Sequence, residues 1–333
     1  MITSTSVPDP VNFSLSGRQF LDTHEILQHA RDEYRENERP QAAVLAAECA
    51  VRLASSALPP EHPVICGSYR MLAFALQSAS RFEEALAAFA QELALIERAV
   101  GYDHHDTQFP LFNIADLLEQ LGRQDQGAEF QRRFETVRDA SGSSAPHRDR
   151  MVPASVEINM PQQEFQQLCQ ILREYGQYRL EIDERHDTYA CRSFAARLAL
   201  LRAIFGESEQ IVAPLLDLVG AQHRYTGFRR IEMRREASAH LHELLNLRET
   251  TCGAGSPDLV PVLLMLAEIE SELGNGYTGT RGREAQRNRD RYLRRAEDIL
   301  LEAATACELA GCDQDCQTLL DRAIEVSNLR QAC

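Results

Sequence analysis

Apolar residues between Gln19 and Ala140 return every three to four positions, the spacing that lines one face of a helix, with interruptions near Pro40, Pro59, Ser80, Gly101 and Gly122. Those interruptions predict short helices in antiparallel pairs. The pattern also repeats on a longer scale. Arg39, Arg81 and Arg123 stand 42 residues apart, and so do Ala43, Ala85 and Gly127, Tyr34, Leu76 and Leu118, Leu53, Leu95 and Val137, and the pair His62 and His104. Three units therefore tile residues 19–140, each a helix, a tight turn before the Arg, and a second helix. The small residue after each turn sits where two helix backbones come close. One pair cannot bury its own apolar stripe, so the units are expected to stack into an all-α solenoid.

Outside this stretch the periodicity changes. Residues 1–18, rich in Ser, Thr and Pro, read as a disordered lead-in. Ser141 to Ser144, Pro146 and Pro153 mark residues 141–160 as a linker. A second helical block, 161–333, begins with a helix over 162–184 carrying Phe165, Leu168, Leu172 and Tyr175 on one face, then one over 189–205 carrying Phe194, Leu198 and Leu201. Pro214 starts or kinks a third. The repeat returns at about 229–310: Ser256, Pro257 and Asp258 open a helix that ends at Gly274, and its partner starts near Tyr292. The small residue expected at 279 falls at Ala296, which implies a Gly- and Arg-rich insertion over 276–291. A final helix, about 316–329, is expected to cap the stack.

Composition narrows the chemistry. All 35 basic residues are Arg, so Schiff-base and phosphate-loop lysine chemistry are excluded. A formal charge of −15 disfavours nucleic acid and anionic membrane as partners. The nine scattered Cys suggest no secreted disulfide framework, and the first residues carry no positive and apolar leader, so a cytoplasmic setting is expected. No cofactor or metal is expected. His24 and His29 are five apart, His240 and His242 two apart, and neither pair shares a helix face; His24 and His29 read as exposed polar positions on a repeat helix, and neither pair reads as a metal site. Cys307, Cys312 and Cys316 lack a second close pair and a nearby His, and read as plain thiols. Nothing marks a catalytic residue. One local feature runs against the overall charge. Arg281, Arg283, Arg287, Arg289, Arg291, Arg294 and Arg295 face only Glu284 and Asp290 over 281–295. This basic patch could take an acidic ligand through bidentate contacts.

The run from Glu61 to Ala85 resembles the tetratricopeptide repeats of kinesin light chains, whose unit is 42 residues long. His62, Pro63, Leu72, Ala73, Arg81, Glu83, Glu84 and Ala85 match, and the next unit keeps His104, Asp106, Asn113, Ala115, Leu117, Gly122 and Arg123. The resemblance implies a right-handed solenoid whose concave groove, lined by the first helix of each unit, takes an extended or helical peptide. Where that family places a pair of Asn to engage the ligand backbone, this chain has Arg70 and Met71, then Phe112 and Asn113, so ligand choice is expected to differ. Arg70, Phe74, Phe112, Asn113 and Asp116 are the expected contacts, since aromatic and Arg side chains anchor interfaces. The expected function is a non-catalytic scaffold or adaptor for another protein or peptide. The alternatives are a self-associating regulatory module, an acidic-ligand or nucleic-acid binder acting through 281–295, and an enzyme with its site in 161–250.

Overall fold

The computed structural model describes residues 9–140, 151–182, 188–226, 229–276, 283–310 and 312–331. The chain divides into two compact units, Met1–Tyr175 and Gly176–Cys333. The first holds helices α1 (Gly17–Glu36), α2 (Pro40–Ala57), α3 (Pro63–Ser78), α4 (Phe82–Val100), α5 (Gln108–Gln120) and α6 (Gln124–Ala140). They pack as the pairs α1 with α2, α3 with α4 and α5 with α6, and each pair stacks on the next.

The 42-residue repeat has a backbone cause. The carbonyls of Tyr34, Leu76 and Leu118 accept the amides of Arg39, Arg81 and Arg123 at 2.7, 2.9 and 2.8 Å, the six-to-one bond that closes a helix C-terminus. The residue before each Arg is left-handed: Glu38 (φ 57°), Ser80 (φ 59°) and Gly122 (φ 74°). Each Arg carbonyl then accepts the first helical amide of the next helix, from Ala43, Ala85 and Gly127. Ala43 and Ala85 are fully buried there. A Cβ on Gly127 would meet the Ala115 carbonyl oxygen at 3.1 Å, so that crossing admits little more than hydrogen. The His of the repeat also has a local role. His62 Nδ1 accepts the Val64 amide and His104 Nδ1 the Asp106 amide, so each imidazole caps the helical turn that follows.

Two expectations are corrected in this unit. The lead-in is not irregular through residue 18, nor is the linker through residue 160. Val11–Ser16 and Ser155–Met160 form strands β1 and β2, antiparallel, with Val11 opposite Met160 and Ser16 opposite Ser155. Both alternate in period two, so Val11, Phe13, Leu15, Val156, Ile158 and Met160 point inward and are buried. Ser16 also closes a capping box with Gln19 that starts α1. Residues 9–10 and 151–154 carry neither helix nor strand, and the rest of these expectations, 1–8 and 141–150, lie outside the described residues. The first unit also runs past the expected boundary at 160, into helix α7 (Gln162–Ile182). The Tyr175 hydroxyl donates to Glu33 at 2.7 Å, and its ring meets Tyr34 edge-on, which ties this part of α7 to α1.

The second unit contains α8 (Thr188–Phe205), α9 (Val212–Arg224), α10 (Arg230–Cys252), α11 (Val260–Asn275), α12 (Arg283–Leu309) and α13 (Asp313–Gln331) around a core that includes Phe194, Leu215, Leu241, Leu263, Leu293 and Ala296. The insertion expected over 276–291 is corrected from Arg283 onward. Arg, Glu, Ala and Gln are strong helix formers, and Arg283 to Arg291 simply lengthen α12. The repeat's turn reappears between α12 and α13. The Cys307 carbonyl accepts the Cys312 amide at 2.9 Å, and the Cys312 carbonyl accepts the Cys316 amide at 3.0 Å. Cys307, Cys312 and Cys316 thus take the places of Leu76, Arg81 and Ala85.

Candidate peptide-binding groove

A concavity of about 600 Å³ opens between α3 and α5 in the first unit. From α3 it is lined by Pro63, Cys66, Gly67 and Arg70, and from α5 by Gln108, Phe109 and Phe112. His105 and Asp106, in the turn before α5, with Ile96 and Phe134, complete it. Pro63, Cys66, Gly67 and Arg70 become His105, Gln108, Phe109 and Phe112 when 42 is added to each number. The two walls are therefore the same face of successive first helices. Gly67 leaves an opening, since a Cβ there would meet no heavy atom within 4 Å.

Arg70 is held rather than loose. Its Nε donates to Glu92 Oε1 at 2.7 Å, and its guanidinium lies 4.2 Å over the Phe109 ring. Such stacking keeps the planar cation in one orientation at the groove wall. Glu92 is fully buried, and burial pushes its carboxyl up to about 7 although Arg70 pulls the other way. Burial likewise pushes the Cys66 thiol up to about 11, with Glu92 adding to it, so Cys66 is an apolar wall and not a nucleophile.

The five expected contacts separate. Arg70 and Phe112 line the groove. Phe112 also borders a second depression of about 360 Å³ between α5 and α6, which includes Asp116. Phe112 is 51% exposed and packs on Phe134 with ring centroids 5.6 Å apart. Phe74 and Asn113 line neither concavity. Phe74 meets Phe89 and Phe109 edge-on and so supports the wall from behind. The Asn113 amide donates to the Phe109 carbonyl in its own helix at 2.8 Å. Gly67, Phe109 and His105 are lining residues that sequence reasoning missed, although Gly67 and Phe109 stand one helical turn before the expected contacts Arg70 and Phe112 and share their faces.

Other candidates resolve differently. His24 is buried, a correction to its reading as an exposed position. Its Nε2 lies 2.7 Å from the Ser68 hydroxyl, and burial lowers it to about 4, so it stays neutral. His240 and His242 have separate partners, the Gln222 side chain and the Ser238 carbonyl. His104, His105 and Asp106 lie close enough to hold a cation, as do His223, Glu268 and Glu272. In the first group, however, His104 Nδ1 is already the helix cap. In the second, Arg234 and His223 already hold Glu272. Of the basic patch, Arg281 lies outside the described residues and Arg283 opens α12. Arg289 is buried and caps α13 through the Leu329 carbonyl at 2.8 Å, while Arg287, Arg291, Arg294 and Arg295 are exposed along one side of the helix.

Residues 64–134, which span both walls of the groove, match the family described as tetratricopeptide repeat. This segment carries tetratricopeptide repeats. Among solved structures the chain is similar to kinesin light chain TPR-like repeats of Podosopora anserina, at 17% identity and TM-score 0.33 over 71% of this chain and 97% of that one. It is also similar to BtubC (BKLC) from P. vanneervenii, at 13% identity and TM-score 0.21 over 95% of this chain and 92% of that one. A third is the complex of the TPR2AB domain of yeast Sti1 with pHSP90, at 11% identity and TM-score 0.29, over 90% and 98%. Comparison with curated proteins gives no match. Among the described residues, no helix is long and apolar enough to cross a membrane.

Proposed function

We propose that this chain is a non-catalytic scaffold that holds a segment of another protein in the groove between α3 and α5. The observation that carries this reading is the groove itself. Its two walls are successive repeat faces, open at Gly67 and furnished with a pinned Arg70 and a half-exposed Phe112. An aromatic anchor beside a preorganised guanidinium favours a peptide carrying an apolar side chain and a backbone or side-chain acceptor. In this reading the second unit supports or extends the scaffold, and the protein works in the cytoplasm without a cofactor.

A second reading rests on α12, where Arg287, Arg291, Arg294 and Arg295 are exposed on one side, Arg294 bonded to Asp290 and the exposed Glu284 and Asp298 beside them, a cluster of net positive charge that could take an acidic partner. The two are separable. Peptides selected by display against the full chain should bind about tenfold more weakly to Phe112→Ala, a loss of about 1.4 kcal/mol. Binding should be unchanged in a variant with Arg287→Glu, Arg291→Glu and Arg294→Glu. The reverse result, with a steep dependence on salt, would move the site to α12.

A further inference from the structure

We propose that Cys307 and Cys312 form a peroxide-responsive dithiol that closes to a disulfide across the turn between α12 and α13. The turn geometry carries it. The Cys312 amide donates to the Cys307 carbonyl at 2.9 Å, the same six-to-one bond that joins Arg81 to Leu76. By standard bond lengths that hydrogen bond keeps the two Cα atoms no farther apart than about 6.8 Å, the upper end of the span a disulfide bridges. The first and last side chains of such a closure are frequently neighbours, and here both are thiols, with Cys312 near enough to bear on the Cys307 thiol. Cys316 is the poorer partner. Cys312 precedes α13 and its carbonyl accepts the Cys316 amide at 3.0 Å, a one-turn spacing at which Cβ atoms are about 5 to 6 Å apart, more than the roughly 4 Å a disulfide wants.

Exposure divides the roles. Cys312 is exposed and Cys307 is buried. Burial, together with Cys312, Asp315 and Cys316, pushes the Cys307 thiol up, so it keeps its proton at rest. A hydroperoxide therefore meets Cys312 first. Its thiolate sulfur attacks the peroxide, the O–O bond breaks, and Cys312 becomes a sulfenic acid as water or an alcohol leaves. Cys307 sulfur then attacks Cys312 sulfur, the S–S bond forms and the S–O bond breaks. The departing hydroxide takes the Cys307 proton and leaves as water. Two thiols lose two electrons and one peroxide gains them. The disulfide would staple α13 to α12 at the end of the second unit.

Because the chain has no Lys, trypsin releases Ala296–Arg322 as one peptide containing Cys307, Cys312 and Cys316. Brief treatment of the native full chain with hydrogen peroxide, followed by alkylation in denaturant, should give this peptide about 2 Da lighter before labelling. One alkylated Cys, at 316, should remain. Cys316→Ser should form the disulfide as wild type does. Cys307→Ser, checked for an unchanged circular dichroism spectrum, should instead accumulate sulfenic acid at Cys312, trapped by dimedone. A disulfide that survives Cys307→Ser, one lost in Cys316→Ser, or a peptide with all three thiols alkylated after oxidation would each overturn the assignment.

Discussion

Glu92 offers a quantitative test of the groove's supporting wall. Its carboxyl is fully buried, bonded to Arg70 through Oε1, and raised to about 7 from the ordinary 4.5. The native state therefore holds this proton more tightly than the unfolded state. The stability so contributed is complete below pH 4.5 and is lost as pH rises through 7. Between pH 5 and pH 8 the loss amounts to about 2 to 3 kcal/mol. His24 acts oppositely, since burial lowers it to about 4, and its contribution grows as pH rises towards 6.5. The two slopes partly cancel, so the wild-type profile alone is uninformative. Glu92→Gln keeps an acceptor for Arg70, removes the titration and leaves His24 in place. Urea unfolding of both proteins at pH 5, 6, 7 and 8 should show the stability of wild type relative to the variant falling by about 2 to 3 kcal/mol across the series. A difference that stays constant within about 0.5 kcal/mol would refute the claim that this carboxyl is held protonated by burial.

The repeat geometry makes further predictions. Ala85→Leu should cost about 1 to 3 kcal/mol and lower Tm by several degrees, because the fully buried Ala85 has no room for three more carbons; calorimetry reads it directly. Arg289→Ala should leave the Leu329 carbonyl without its guanidinium donor and cost about 1 to 3 kcal/mol. Amide exchange should then quicken at the C-terminal end of α13 while the rates in α3 and α5 are unchanged.

The sequence made some parts legible because each depends on neighbours in the chain. The 42-residue spacing of Tyr34 and Arg39, Leu76 and Arg81, and Leu118 and Arg123 is one local backbone turn written three times. His62 and His104 recur because each caps the turn beside it. The strands were not legible for the opposite reason. Val11 finds Met160 only across the whole first repeat stack, and six alternating residues are too few to declare themselves against a helical background. The groove was half legible. Arg70 and Phe112 occupy equivalent positions on their helices and both line it, whereas Phe74, aromatic like Phe112, turns to Phe89, and Asn113, at the family's Asn position, turns to the Phe109 carbonyl. Residue type selects candidates, while rotamer and neighbour contacts select among them. In α12 the Gly- and Arg-rich composition suggested an insertion between two helices, yet Arg is also a good helix former, and from Arg283 the helix won.

Gly67 allows the most direct test of the groove. A side chain at this position meets no atom of the protein within 4 Å at Cβ, and Gly67 itself lines the concavity. Gly67→Leu should raise stability by about 0.5 to 1 kcal/mol through helix propensity. In the same protein, titration calorimetry with a display-selected peptide should show affinity weakened at least about tenfold. Undiminished binding in a variant that is folded and at least as stable as wild type would contradict the placement of the partner between α3 and α5.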